Sequence, residues 1–189
     1  MRKYIYLFLI LCCLSPHLYG GNVTGNCTSY SQEGRDVTFH LDDNSAVQLQ
    51  LCSPSVVRVW FSPDGKLQRG NPSFAVINEE LEDVGTVRVD EQNACYEIFT
   101  PKLRIRINKA PFSLQIFDKY QKLLFSDYAD KGHISDGERK VEYKTLRRDE
   151  HFFGLGEKTG KLDRRGESYK MWNSDKPCYS VVEIGRAHV

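Results

Sequence analysis

The chain has 189 residues, of which 40% are hydrophobic, and 26 Lys and Arg against 25 Asp and Glu give a formal net charge of +1. This length and apolar fraction suffice for one domain with a hydrophobic core and exclude a largely disordered chain. The near balance of charge gives no global field for a nucleic acid or an anionic membrane, so the partner is expected to be neutral or locally recognised.

Residues 1–21 are predicted to be a signal peptide. Arg2 and Lys3 precede an apolar run at residues 4–14, which is shorter than the ~20 apolar residues of a membrane-spanning helix. We therefore expect export to the periplasm or the extracellular space, with no membrane segment beyond the signal. Two cysteines inside the run raise the alternative of lipid anchoring, but their early placement argues against a lipoprotein.

Residues 22–35 are interpreted as an N-terminal lead-in, and from Asp36 onward apolar residues alternate with polar ones. This period of two predicts half-buried strands, separated by turn signals such as Ser62-Pro63-Asp64-Gly65. Short strands at close spacing, without a long amphipathic helix, predict an all-β fold and an antiparallel β-sandwich. The predicted strands cover residues 37–41, 47–51, 56–61, 86–89, 95–100, 103–107, 112–116 and 123–126.

Four cysteines follow the signal peptide, at positions 27, 52, 95 and 178. Export would allow disulfides, but the wide spacing selects none of the three pairings, and buried free thiols are an equally good interpretation. Neither the cysteines nor the histidines show metal-ligand spacing, so we expect no metal site.

Residues 152–180 form a glycine-rich, polar and aromatic segment that is predicted to be a long loop. It fits neither a dinucleotide fingerprint nor a Walker phosphate loop, because the glycines have the wrong spacing, so no nucleotide cofactor is expected. Trp172 offers a flat apolar face beside the polar groups of Asn173 and Asp175, a combination suited to sugars. Arg164 and Arg165 are candidates for carboxylate contacts or for an ordinary salt-bridged pair.

The stretch "FFGLGEKTGKLDRRGESYKMWNSD" resembles the end of the N-terminal domain of glycoside hydrolase family 31, the family of α-glucosidases and α-xylosidases. "VVRVWFSPDG" and "PFSLQIFDKYQKLLFSD" are similar to earlier strands of the same domain, so the resemblance covers residues 36–182. It implies a galactose-mutarotase-like supersandwich that precedes a catalytic (β/α)8 barrel, and that barrel is absent from this chain.

The resemblance also implies roles for the loop. Asp175 would hydrogen-bond hydroxyls of an α-linked oligosaccharide or glycoside, Asn173 and Trp172 would shape the loop, and Arg164 and Arg165 would support it. The family hydrolyses O-glycosidic bonds with retention through two barrel carboxylates. The parent protein is thus expected to be an α-glucosidase-type hydrolase, with its own C-terminal barrel as the partner of this domain, and this chain alone is expected to be inactive.

Residues 183–189 depart from the family's continuation and match the translation of a common short-read sequencing adapter, so we interpret them as a non-native tail. Without the resemblance, the chain would be a secreted, non-enzymatic carbohydrate-binding module or a structural β-sandwich. A downstream coding sequence that encodes the barrel in the same reading frame would distinguish the enzyme from these alternatives.

Overall fold

A computed structural model describes residues 22–67, 82–128, 131–136, 139–156 and 160–169. The chain divides into two compact units, Met1–Thr145 and Leu146–Val189. All named strands belong to the first unit, and none of the described residues lies in a helix, so none forms an apolar helix able to cross a membrane. The strands are β1 (Asn22–Val23), β2 (Cys27–Glu33), β3 (Asp36–Leu41), β4 (Ala46–Ser53), β5 (Val56–Ser62), β6 (Val89–Glu91), β7 (Cys95–Phe99), β8 (Leu103–Asn108), β9 (Ser113–Asp118), β10 (Leu123–Ser126), β11 (His133–Asp136) and β12 (Arg139–Glu142).

The first large sheet has four antiparallel strands in the order β2-β3-β4-β5. Its alternation is visible in β3, where Val37 and Phe39 are fully buried while His40 is exposed. Because successive side chains of a strand point to opposite faces, each strand contributes one apolar row to the interior.

The second large sheet has five antiparallel strands in the order β10-β9-β8-β7-β6. In β8, Leu103, Ile105 and Ile107 are buried, and the arginines between them are not. The all-β antiparallel sandwich predicted from the sequence is therefore confirmed.

The core lies between these two sheets. Tyr30 and Phe39 of one sheet contact Tyr96 of the other, with ring centroids 5.2 and 5.5 Å from the Tyr96 ring. Each fully buried Val, Leu, Ile or Phe contributes about 1.5–3 kcal/mol, so these rows dominate the stability of the first unit. The buried members of the core are Cys27, Val37, Phe39, Leu41, Val47, Leu49, Leu51, Val84, Tyr96, Ile98, Leu103, Ile105, Ile107, Phe112 and Leu114.

A third sheet, of order β1-β11-β12, is joined to the rest of the unit by charged side chains. His133 of β11 is 1% exposed and stacks on Phe61 of β5 at 5.1 Å between ring centroids. Its Nε2 lies 3.6 Å from Oδ2 of Asp127, and its Nδ1 lies 3.4 Å from Oε1 of Glu142. Lys144 Nζ donates to Asp127 Oδ1 at 2.7 Å and lies 3.3 Å from Glu142. We call these four residues the His133 cluster.

The described cysteines are free thiols. Cys27 and Cys95 are buried and Cys52 is half-buried, as expected of small hydrophobic residues. Burial is the main cause that raises the pKa of the Cys27 thiol to about 11, so this thiol stays protonated and unreactive at neutral pH. Cys178 lies outside the described residues.

Candidate functional site

The second unit contains the described part of the glycine-rich loop, and Asp163 organises it. Its Oδ2 lies 2.7 Å from Nδ1 of His151, and its Oδ1 accepts hydrogen bonds from the backbone N–H groups of Phe152 and Arg165 at 3.3 and 3.1 Å. The contact with His151, followed by the Arg165 amide, lowers the pKa of Asp163 to about 2. The backbone N–H of Arg164 also donates to the Phe152 carbonyl at 2.7 Å. Residues around 151–152 and 163–165 are therefore tied together.

Arg165 connects this pair of segments to the preceding turn. Its Nη1 donates to the carbonyl oxygens of Arg147, at 2.8 Å, and of Glu150. The turn is closed by the Arg147 N–H, which donates to Glu150 Oε2 at 3.1 Å. The Arg165 guanidinium thus donates hydrogen bonds to backbone carbonyl oxygens that accept none from a neighbouring strand.

Arg164 points into a different environment. It is 8% exposed, its Nη1 donates to the Tyr169 hydroxyl at 3.2 Å, and its guanidinium lies over the Tyr169 ring at 5.3 Å. Gly160 has a φ of 121°, which favours glycine, and a Cβ at this position would lie 2.8 Å from Arg164 Nη1. The two arginines thus have separate surroundings, one buried against an aromatic ring and one on backbone carbonyls.

The segment Gly154-Leu155-Gly156 turns sharply, with φ values of 87°, 67° and 77°. Three consecutive residues in the left-handed region are costly for side chains with a Cβ, and glycine at two of the positions reduces this cost. Phe153 beside the turn is 62% exposed, and Leu162 is 81% exposed. The loop therefore presents two large apolar side chains to solvent.

The predicted sugar-contacting residues Trp172, Asn173 and Asp175 lie outside the described residues. Of the predicted site, the structure describes Arg164 and Arg165 alone. Arg164 contacts Tyr169 within the loop, and Arg165 contacts backbone carbonyls of the preceding turn. Their role in supporting a substrate loop stays a prediction. Among the described residues, no group of three or more His, Cys, Asp and Glu could hold a metal ion.

The sequence interpretation missed the organising role of Asp163. A signal for it exists in retrospect: an aspartate directly before two arginines, with a histidine twelve positions upstream. Short carboxylates commonly accept backbone N–H groups in turns. The His133 cluster also had no sequence signal, since its four members are separated along the chain.

The two large antiparallel sheets and the described part of the glycine-rich loop fit a β-sandwich domain of the kind that accompanies glycoside hydrolases, and the comparisons agree. Residues 46–186 match the family model of the glycosyl hydrolase 31 N-terminal galactose mutarotase-like domain. The chain belongs to this family.

Three relatives illustrate the similarity to glycoside hydrolases. The chain is 31% identical over 180 residues to alpha-glucosidase 2 of Bacillus thermoamyloliquefaciens, covering 87% of this chain and 22% of that protein. It is 60% identical to a family 31 dextranase of Flavobacterium johnsoniae solved in complex with glucose, with a TM-score of 0.79, covering 86% of this chain and 20% of that one. A family 31 alpha-xylosidase of Xanthomonas citri shares the fold at 21% identity and a TM-score of 0.59, over 74% of this chain and 16% of that one. The chain spans about a fifth of the length of these relatives.

Proposed function

We propose that this chain is the N-terminal, carbohydrate-contacting domain of a retaining α-glycosidase of the α-glucosidase type. The parent enzyme hydrolyses O-glycosidic bonds in an α-linked glucan or glycoside. The two catalytic carboxylates belong to the barrel that follows, so residues 22–182 by themselves are catalytically silent. The parent is exported under the direction of residues 1–21.

The observation that carries this proposal is the 60% identity to a dextranase across 86% of this chain. Sequence identity at this level supports more than a shared fold. A mutant of the same dextranase has been solved in complex with isomaltotriose. An α-linked glucose oligomer is therefore the first substrate class to test for the parent of this chain.

Within the proposal, the loop 152–180 reaches the substrate. Asp175 accepts hydrogen bonds from sugar hydroxyls, while Trp172 and Asn173 shape the contact surface. The described contacts support an ordered base for such a loop, because Asp163 and Arg164 bind backbone and ring atoms of the loop and Arg165 binds backbone carbonyls of the turn before it. An ordered base reduces the conformational entropy lost when a loop binds its ligand.

The test compares two proteins: residues 22–182 alone, and the same residues joined to the downstream coding sequence recovered from the source DNA. Isomaltotriose, dextran and aryl α-glucosides and α-xylosides are offered to both. We expect no turnover by the short protein, and hydrolysis by the long one with the α-anomer released first in proton NMR. Turnover by the short protein that survives repurification, or a natural stop codon directly after residue 182, would contradict the proposal.

A further inference from the structure

The outer face of the four-stranded sheet is polar and carries one tryptophan. The strand register places Ser31, Thr38, Gln48 and Trp60 directly opposite one another across β2, β3, β4 and β5. With strands spaced by about 4.8 Å, this row is roughly 14 Å long. We call it the Trp60 row.

The polar groups of this face are mainly neutral amides and hydroxyls in loose contact with one another. Gln48 Nε2 donates to Thr38 Oγ1 at 3.3 Å, and in the neighbouring row Gln50 Nε2 donates to Asp36 Oδ2 at 3.4 Å. Both bonds are longer than the usual 2.9–3.0 Å, so the half-buried amides of Gln48 and Gln50 are weakly held by these acceptors. An amide also offers a donor and an acceptor at once, which matches a sugar hydroxyl.

Trp60 does not belong to the hydrophobic core. The inward residues of β5, namely Val57, Val59 and Phe61, pack against the core cluster, whereas Trp60 lies on the opposite face and is half-buried. The Arg58 guanidinium lies over its ring at 5.0 Å. An exposed cation–π contact of this kind is worth about 0.5–1 kcal/mol, so a ligand can displace the guanidinium from the ring.

The exposed charges on this face cancel. The neighbouring row runs Glu33, Asp36, Gln50 and Arg58, and because Asp36 is buried, its exposed charges are the Glu33 carboxylate and the Arg58 guanidinium. A face without net charge does not attract a nucleic acid or an anionic lipid surface. A neutral, hydroxyl-rich chain with an apolar C–H face fits both the amides and the indole ring.

We propose that the Trp60 row is a second carbohydrate-binding site, which holds a neutral α-glucan chain away from the substrate loop. Trp60 stacks on the C–H face of one sugar unit, and the half-buried Gln48 and the exposed Ser31 hydrogen-bond hydroxyls of the units that follow across the sheet. Thr38, between them, is buried and positions the Gln48 amide. The choice of an α-glucan rests on the proposed function; the site itself rests on the composition and register of the sheet face.

The test is native gel electrophoresis of the 189-residue chain in gels that contain dextran or soluble starch. We expect dextran, starch or both to retard the wild-type chain, and the Trp60→Ala variant to bind at least about fivefold more weakly, the equivalent of ~1 kcal/mol for a lost aromatic contact. Gln48→Ala is also expected to weaken retardation, and because it removes only a half-buried amide it carries the test if Trp60→Ala does not fold. Circular dichroism verifies the fold of each variant.

Two control variants, Tyr120→Ala and Trp172→Ala, distinguish the Trp60 row from other places where a polysaccharide could bind. Tyr120→Ala removes an aromatic side chain that is 78% exposed in the β9–β10 hairpin, and retardation should not change. Retardation that depends on Trp172 but is insensitive to Trp60 and Gln48 would overturn the second site while supporting the substrate loop. No retardation by either polysaccharide would also overturn the second site, whereas the proposed function is judged separately by hydrolysis in the long protein.

Discussion

Replacement of Asp127 by alanine should destabilise the first unit more than any single surface substitution. The Asp127 side chain is fully buried, and its two oxygens accept hydrogen bonds from the Leu114 backbone N–H at 2.8 Å and from Lys144 Nζ at 2.7 Å. The variant leaves the Leu114 amide and the buried ring of His133 without this carboxylate. Breaking a buried ion pair from one side costs about 3–5 kcal/mol.

The lower end of that range applies here, because Lys144 is 30% exposed and can be hydrated again. A loss of about 3 kcal/mol lowers the melting temperature by roughly 6–12 °C in a chain of this size. The measurement is urea and thermal unfolding of residues 22–182 followed by circular dichroism. Asp127→Asn keeps an acceptor for the Leu114 amide and should lose less than the alanine variant.

The matched control is Asp90→Ala, since Asp90 pairs with the exposed Arg88 at the surface. Surface ion pairs contribute about 0–1 kcal/mol, so this variant should remain close to wild type. If Asp127→Ala and Asp90→Ala lower the free energy of unfolding equally, the His133 cluster does not hold the third sheet in place and the reasoning is wrong.

Three further outcomes are expected. The contact with His133, opposed by burial and aided by Lys144, lowers the pKa of Glu142 to about 2. The ionised Glu142 carboxylate therefore stabilises the folded state above about pH 4.5, and this stabilisation is lost as the pH falls toward 2. Because the Glu142 side chain is 55% exposed, this contribution to the free energy of unfolding should be about 1 kcal/mol or less. In the Glu142→Gln variant, the free energy of unfolding should fall less steeply as the pH is lowered from 4.5 to 2. Asp163→Ala should increase amide hydrogen exchange at Phe152 and Arg165, whose N–H groups lose their acceptor, while Asp149→Ala, an exposed change in the same unit, should not. In the full-length enzyme, Asp175→Ala should lower kcat/KM by roughly ten- to a hundredfold through loss of charge-assisted hydrogen bonds, and an unchanged kcat/KM in a folded variant would remove Asp175 from the substrate site.

Asp163 is unsuitable as a neutral control for Asp175. A substitution that disorders the base of the loop would alter the position of Asp175 as well. Asp149, which is exposed in the turn before the loop, is the better control.

The sequence predicted the core strands because their apolar residues alternate strictly. The predicted strand at residues 103–107 lies within β8, and that at 123–126 coincides with β10. The predicted strand at 86–89 is observed as β6 at Val89–Glu91, a shift toward polar residues that pair with β7 through the backbone.

The strands that the sequence did not predict are polar. β2 lies in the predicted lead-in and has the sequence CTSYSQE, whose side chains are mostly exposed; it nevertheless pairs with β3 along its length. β11 and β12 read HISD and RKVE. Edge strands and small hairpins are held by backbone hydrogen bonds and by ion contacts between distant residues, and neither leaves a periodic apolar pattern.

The same limit applies to the loop. Its glycines and polar residues predicted a loop that approaches a ligand, but Asp163 acts through backbone N–H groups that no side-chain pattern reveals. The predicted roles of Trp172, Asn173 and Asp175 depend on the family resemblance and remain to be tested by mutation.

The contact between Thr24 and the carbonyl oxygen of His133 joins residues 109 positions apart. During synthesis, the first strand therefore has no partner until β11 has left the ribosome, whereas the β3–β4 and β8–β9 hairpins can form as soon as their own residues emerge. Contacts of such long sequence separation form late because their loop-closure entropy must be overcome first. The pairing of β1 is thus among the last contacts of the first unit to form, although β1 is the first strand to be synthesised.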